Sequence, residues 1–406
     1  MISRRGFLAA SAASVVVPGV ALARADSPQT ESGATEQEKP KGFEPWIEID
    51  SAALTHNVRE ISRTVDRKPI VAVVKNNAYG LGLALAGPLL DRLSEVAMLA
   101  VVRPDEAMTL RASGVRKPIL LMGPATEDEL VELVRLDVIQ SPYRDGAPTI
   151  LSRVADRAGR PVRVHLYVDT GMHRMGLPVG QALPWIESLA KAPGIRIEGA
   201  FTELTEDAEF DRQQVARMRE MQSAARGRGI AIGTLHAASS DAVQHGRADM
   251  VLDAVRPGLA LYGGYVSGEA MQRGGLRPAY RLKTRVLRVD HLAAGEGISY
   301  HRRWIAERPT WTATLAVGHV DGYPAGATKG CEVFAGGRLY AVIGTVSASH
   351  TVINLGDDRT LNVGDEVTLV GGEHPAIHPN EVARRSGWSE YNMFMHLSPG
   401  VARMVI

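Results

Sequence analysis

From Ile70 to Val255 the chain alternates short apolar runs with stretches whose apolar positions recur every three or four residues. The runs predict strands at 71–74, 97–102, 118–122, 137–140, 162–168, 196–201, 233–236 and 250–255. The stretches between them, such as Pro104 to Ser113, Glu127 to Leu136 and Asp211 to Arg228, predict amphipathic helices. Eight strand–helix alternations predict an α/β fold, a (β/α)8 barrel over residues 43–280. An open doubly wound sheet is the runner-up, but no GxGxxG stands at a strand–helix turn. Ahead of the first run, Trp46 to Asp50 reads as a strand. Ser51 to Thr64 reads as a helix, with Leu54, Val58 and Ile61 on one face. Past Arg281 the helical period gives way to strands at 281–289, 311–317, 339–346, 350–355 and 366–370. A short helix near 379–385 and a strand near 402–406 close a mostly antiparallel β-domain, residues 281–406.

The first apolar run carries the chemistry. Val71 to Val74 ends abruptly in Lys75, and Asn76, Asn77, Gly80 and Gly82 follow at once. A lysine at a strand tip loses hydration, which lowers its pKa and makes its amine the nucleophile of a Schiff-base lysine. A lysine snorkelling from a strand end explains the segment equally well. Barrel sites lie at the C-terminal ends of the strands. There the pattern places Asp169, Thr170, Gly171 and Arg174, then Thr202 and Glu203, then Ser239 and Ser240, then Arg256, Gly258 and Leu259. Small hydroxyls and backbone N–H groups after the last two strands, Ser240 with Gly258 and Leu259, suit a phosphate. Each pair alone is ordinary loop chemistry. With Lys75 they point jointly to a phosphorylated aldehyde cofactor, pyridoxal 5'-phosphate.

Composition narrows the classes. The 406 residues are 45% hydrophobic and 22% charged, those of a globular protein. A net charge of +1 argues against a nucleic-acid surface. One cysteine, Cys331, excludes an internal disulfide, and 12 histidines without HxH or HExxH spacing give no metal site. Arg4-Arg5, an apolar stretch Leu8 to Leu22 and Ala23-Arg24-Ala25 read as a twin-arginine signal peptide over 1–25. That stretch is too short, and too rich in Ala, Ser, Gly and Pro, to span a bilayer stably. Export as a folded protein to the periplasm or the medium is the expectation. Residues 26–42, polar and rich in Glu, Ser and Pro, read as a disordered linker.

Six motifs in order, VKNNAYGLG, VDTGMHRMG, HAASSDA, VRPGLALYGG, ISYHRRW and GHVDGYP, resemble those of the alanine racemases. The resemblance runs from about residue 45 to the end. It implies a pyridoxal-phosphate enzyme that interconverts L- and D-amino acids as a homodimer with shared active sites. It assigns the cofactor linkage and one base to Lys75, and the second base to Tyr300, supplied by the partner subunit. Two bases on opposite faces of a planar α-carbon are what racemisation requires. It further assigns Arg256 to the pyridine nitrogen, and Tyr79, Ser240, Gly258 and Leu259 to the phosphate. Arg174 is assigned to the substrate carboxylate, for which a guanidinium fork is suited.

Four positions depart from the family pattern. Tyr167 stands where many members carry a carbamylated lysine, so the negative charge beside Arg174 is missing there. Ala348-Ser349 replaces a Met-Asp pair near the substrate, with the Ala348 N–H as a substitute contact. Glu203 replaces a histidine beside the cofactor ring, and His319 replaces a mouth tyrosine. Smaller or more polar residues at the mouth would admit larger or cationic side chains, or would mark a weakened, cofactor-binding paralogue. A cofactor carrier without turnover and a decarboxylase on the same barrel are the other classes. The first lacks a second domain with a residue like Tyr300, and the second uses a catalytic cysteine.

Overall fold

The computed structural model describes residues 39–406. The expected signal peptide and most of the expected linker lie outside that range. The first strand, β1 (Trp46–Ile49), leads into the helix Ser51–Thr64. The Asp50 carboxylate caps this helix, accepting the Ala53 N–H at 2.8 Å. Leu54, Val58 and Ile61 are buried, as their spacing predicts.

Two parallel ladders follow. β2 (Ile70–Val73), β3 (Val96–Val101), β4 (Ile119–Leu121) and β5 (Val138–Ile139) pair in that order. β6 (Val162–Asp169) carries the short β7 (Leu177–Pro178) on one side, and β8 (Ile195–Phe201) and β9 (Thr234–His236) on the other. Parallel bridges join Gln140 to Val164, His236 to Ala254 and Val255 to Ile70, so the path of pairings returns to β2. Strand residues such as Ala72, Leu99, Leu120, Ile139, Val164 and Ala200 are fully buried, as sheets covered on both faces require.

The predicted strand 250–255 shrinks to these bridges at Ala254 and Val255, because Ala248–Met250 forms a 3-10 turn. The Asp253 side chain helps disrupt it, accepting the Leu235 N–H at 2.8 Å. The predicted helices at 104–113, 127–136 and 211–228 appear as Pro104–Ala112, Glu127–Arg135 and Ala208–Gly227.

The rest is a β-domain. β10 (Tyr280–Leu292) is long, and β11 (Gly297–Ile298) and β12 (Trp304–Ile305) form a small hairpin beyond it. β13 (Thr310–Leu315), β14 (Glu332–Ala335), β15 (Arg338–Ile343), β16 (Thr351–Gly356), β17 (Glu366–Val370) and β18 (Ala402–Val405) complete it. The sheet order is β13-β16-β15-β14-β17-β10-β1-β18, with β13 also on β10. All its pairs are antiparallel except β1 with β18. Among the described residues no helix is long and apolar enough to cross a membrane.

Two expected boundaries move. β1, read as the entrance to the barrel, lies in the β-domain sheet, where Trp46 sits opposite Lys283 on one side and Ala402 on the other. Alternation within one strand cannot reveal which sheet accepts it. Residues 39–42, read as linker, are held by that domain as well. Arg285 donates to the Pro40 carbonyl at 2.7 Å and covers the Trp46 ring at 4.8 Å. Lys39 pairs with Glu366.

Candidate active site

After β2 the backbone turns left-handed. Asn76, Asn77, Ala78 and Tyr79 have φ of 53°, 56°, 53° and 53°, and Gly80 and Gly82 continue at 82° and 104°. For residues with a Cβ this costs roughly 1–2 kcal/mol each, so the surroundings must enforce it. The Asn77 side chain accepts the Leu83 N–H at 2.8 Å, and the Asn77 N–H donates to buried Glu106 at 3.2 Å. Arg403 of β18 donates to the Gly80 carbonyl from two nitrogens, at 2.9 and 2.8 Å. The buried Tyr79 ring stacks on Tyr262 at 4.9 Å, and the Tyr262 hydroxyl donates to the Val73 carbonyl at 3.2 Å.

Lys75, at the start of this turn, is partly buried. Burial lowers its pKa most, Glu203 opposes that, Arg174 and Arg256 lower it further, and Glu106 raises it. The amine is therefore more readily neutral than a surface lysine and is a better nucleophile. The same four groups place Lys75 among the ends of β8 and β6, the segment after Val255 and the helix Pro104–Ala112.

Beside it lies a cradle of donors. The Ser240 hydroxyl accepts the N–H groups of Gly258 at 3.0 Å and Ala260 at 3.1 Å. A Cβ on Gly258 would stand 2.1 Å from the Tyr79 hydroxyl, so the bare backbone and the phenol form one edge together. Burial keeps the Tyr79 phenol neutral, hence a donor, by pushing its pKa well up. Leu259 is fully buried between these donors. Two hydroxyls and backbone N–H groups next to a tuned lysine fit a phosphorylated aldehyde.

Arg256 is buried, not a surface cation. It donates to the Thr202 carbonyl at 2.9 Å and to Glu203 at 3.2 Å, and it covers Phe201 at 5.2 Å. It also faces His236 Nδ1 at 3.3 Å. Because arginine only donates, that Nδ1 accepts, and His236 Nε2–H donates to His165 Nδ1 at 2.9 Å. Desolvation holds His165 down to about 4 and His236 well below its usual value, so both rings are neutral.

Glu203 also reaches Arg174, at 3.8 Å. Tyr167 stacks on Phe201 at 4.4 Å, and burial pushes the pKa of its phenol up, opposed in part by the nearby Arg256 and Arg174. The structure thus brings Lys75, Tyr79, Arg174, Glu203, Ser240, Arg256 and Gly258 together.

It does not bring Tyr300 to them within one chain. Tyr300 is 70% exposed in the 3-10 turn Tyr300–Arg302 of the β-domain. Ala348 and Ser349 are exposed too, and the Ala348 carbonyl accepts the Val320 N–H of the His319–Asp321 turn at 3.1 Å.

Sequence reasoning missed Glu106, Ala260, Tyr262, His165, His236, Tyr391 and Arg403. Glu106 and the two histidines left a signal, as polar residues on apolar elements. Tyr391 left none: it lies on the unpredicted helix Glu390–Met395, with its ring 6.5 Å from Tyr79.

A lysine whose pKa is lowered by burial, a cluster of hydroxyls and backbone N–H groups and a buried guanidinium, carried by parallel strands and followed by a β-domain, define a lysine-centred site whose residues fit a phosphorylated carbonyl compound. Comparison with known proteins narrows this. The family model for the alanine racemase N-terminal domain matches residues 49–266, and that for the C-terminal domain matches 279–405. An alanine racemase of Caldanaerobacter subterraneus is 32% identical over 370 residues, 89% of this chain and 94% of that protein. One of Clostridium perfringens is 32% identical over 367 residues, 88% and 94% of the two chains. The structure of a Clostridium difficile alanine racemase superposes with a TM-score of 0.83 at 28% identity, covering 90% of this chain and 97% of the other. This chain belongs to the alanine racemase family.

Proposed function

We propose that this protein is a pyridoxal-phosphate-dependent racemase that interconverts L- and D-alanine, built on a (β/α)8 barrel with an antiparallel β-domain and working as a homodimer. The observation that carries the reading is the placement of Lys75 among Glu203, Arg174 and Arg256, beside the Tyr79–Ser240–Gly258 cradle. The ring of parallel pairings closed by Val255 and Ile70 supports the barrel.

Tyr79, Ser240 and the backbone at Gly258 and Leu259 would hold the phosphate, Lys75 the aldehyde carbon and Arg256 the ring nitrogen. When bound, the cofactor supplies an electron sink for the α-carbon. Arg256 carries a proton it does not give up, so it limits that sink and with it side reactions. Arg174 binds the substrate carboxylate through its fork. Lys75 takes or returns the α-proton on one face. Tyr300 of the partner subunit does so on the other, and the exposure of Tyr300 is what a residue shared across an interface has in a single chain. The Ala348 N–H would contribute from the same side.

Borohydride reduction of the purified protein should fix the cofactor on Lys75, and chiral analysis should show racemised alanine. Cofactor on another lysine, or none, refutes the assignment. Tyr300→Phe should slow exchange of the L-substrate α-proton with deuterated water by roughly 10²–10⁴-fold and that of the D-substrate far less. Mixing Lys75→Ala with Tyr300→Phe subunits should restore one intact site per heterodimer, and verified mixing without recovery refutes the sharing.

The twin arginines support export to the periplasm or the medium. Arg4→Lys with Arg5→Lys should retain the precursor in the cytoplasm, and unchanged export refutes the pathway.

A further inference from the structure

In the site described above, the Glu203 carboxylate stands among three cationic side chains, Lys75, Arg174 and Arg256. Glu203 Oε2 lies 3.2 Å from Arg256 Nη2 and 3.8 Å from Arg174 Nη2. It also acts on Lys75 more strongly than either arginine does. The other anion acting on Lys75, Glu106, is committed elsewhere: its oxygens accept the N–H groups of Asn77, Val102 and Arg103, each at 3.2 Å. Tyr167, next to Arg174, is a buried phenol and carries no charge.

We propose that Glu203 is the fixed counter-ion of this site, a positioning residue that aims Arg174 at the substrate carboxylate and keeps a negative charge beside Lys75. The proposal rests on the racemase reading for the part played by Arg174. The geometry distinguishes two grips. Toward Arg256 the contact is a hydrogen bond to a buried guanidinium that is also tied to the Thr202 carbonyl and His236, so Glu203 is anchored there. Toward Arg174, which is more than half exposed, 3.8 Å is a Coulombic approach and not a closed hydrogen bond. The side chain is thus restrained while its fork stays open for a ligand carboxylate. The negative charge that position 167 lacks is supplied from the end of β8, by a residue that replaces a histidine of the family pattern.

Glu203→Gln keeps the shape and removes the charge; Glu203→Asp keeps the charge. The full-length mature protein, stripped of cofactor with hydroxylamine, is pulsed with an acetylating reagent across a pH series, and modification of Lys75 is read by peptide mass spectrometry. Removing an anion that favours the ammonium form should move the profile to lower pH, with Lys75 modified roughly three- to tenfold faster near neutrality. Glu203→Asp should stay near the wild type. In the cofactor-loaded protein, Glu203→Gln should raise the KM for alanine by about tenfold, the scale of a charge-assisted contact, with a smaller change in kcat. A Gln profile superimposed on the wild type, an Asp profile displaced as far as the Gln one, or an unchanged KM overturns the proposal. If the wild type traps no cofactor and racemises nothing, the functional reading fails, while the Lys75 profile, which requires no turnover, still decides the role of Glu203.

Discussion

Gly258→Ala tests the cradle at its tightest point. The new methyl would stand 2.1 Å from the Tyr79 hydroxyl, more than 1 Å inside the 3.4 Å edge of normal contact, and 2.8 Å from its Cζ. The phenol has little room to yield. Its ring is 4% exposed, stacks on Tyr262 at 4.9 Å and has Tyr391 at 6.5 Å, and its backbone is already fixed in the left-handed region. Overpacking of this kind costs about 1–3 kcal/mol. If half of that falls on the donors, cofactor affinity drops by roughly two- to twelvefold, since 1.4 kcal/mol is a factor of ten. Urea unfolding of the cofactor-free protein gives the first quantity, and fluorescence titration with pyridoxal phosphate gives the second. The double variant with Tyr79→Phe separates the causes. Removing the hydroxyl should return part of the lost stability, a non-additive coupling of 0.5 kcal/mol or more, while cofactor affinity stays low because a donor is gone. Unchanged stability and affinity in Gly258→Ala, or strict additivity with Tyr79→Phe, would mean that this edge is not where the structure puts it.

Other outcomes follow from neighbouring groups. His165 and His236 are neutral when folded, with His165 held down to about 4. Their folded pKa values lie below an unfolded value near 6.5, so their contribution is complete above pH 6.5 and is lost as the pH falls toward 4. For His165 this amounts to about 3 kcal/mol, and a flat urea-unfolding free energy between pH 7 and 4.5 would contradict it. Arg403→Lys keeps the charge but cannot serve the Gly80 carbonyl from two nitrogens. It should lower stability by roughly 1.5–3 kcal/mol and weaken cofactor binding in parallel, and wild-type values for both would remove Arg403 from the frame of the Lys75 turn.

The parallel ladders were legible because their signal is local. Residues 71–74 are apolar and three of the four are β-branched, Lys75 ends the run, and helices such as Glu127–Arg135 declare themselves by period and by a capping Thr126. The two-residue strands β11 and β12 left too few positions for an alternation. The eighth barrel strand was overread because 250–255 is apolar enough for one, while Asp253 spends its side chain on Leu235. The identity of the sheet that takes β1 is a pairing, and pairings across more than 200 residues leave no mark on a period.

The same distinction runs through the site. Lys75, Ser240, Arg256 and Gly258 were legible because each falls within four residues of a strand end or of the bridge at Val255, and strand ends meet at one face of the parallel array. The groups that tune them were not. Gly80 and Arg403 are 323 residues apart, and β18 reaches the Lys75 turn only because β1 draws it onto the sheet edge. The left-handed course of Asn76 to Tyr79 is likewise unfavourable as a local conformation, and a propensity argument for Ala78 or Tyr79 would reject it. It exists because Glu106, Tyr262 and Arg403 hold it, one from the helix Pro104–Ala112, one from the turn after Gly258 and one from the last strand. The lysine is therefore set by local sequence, but its turn is set by tertiary contacts, and changes at the far end of the chain act on the first turn of the site.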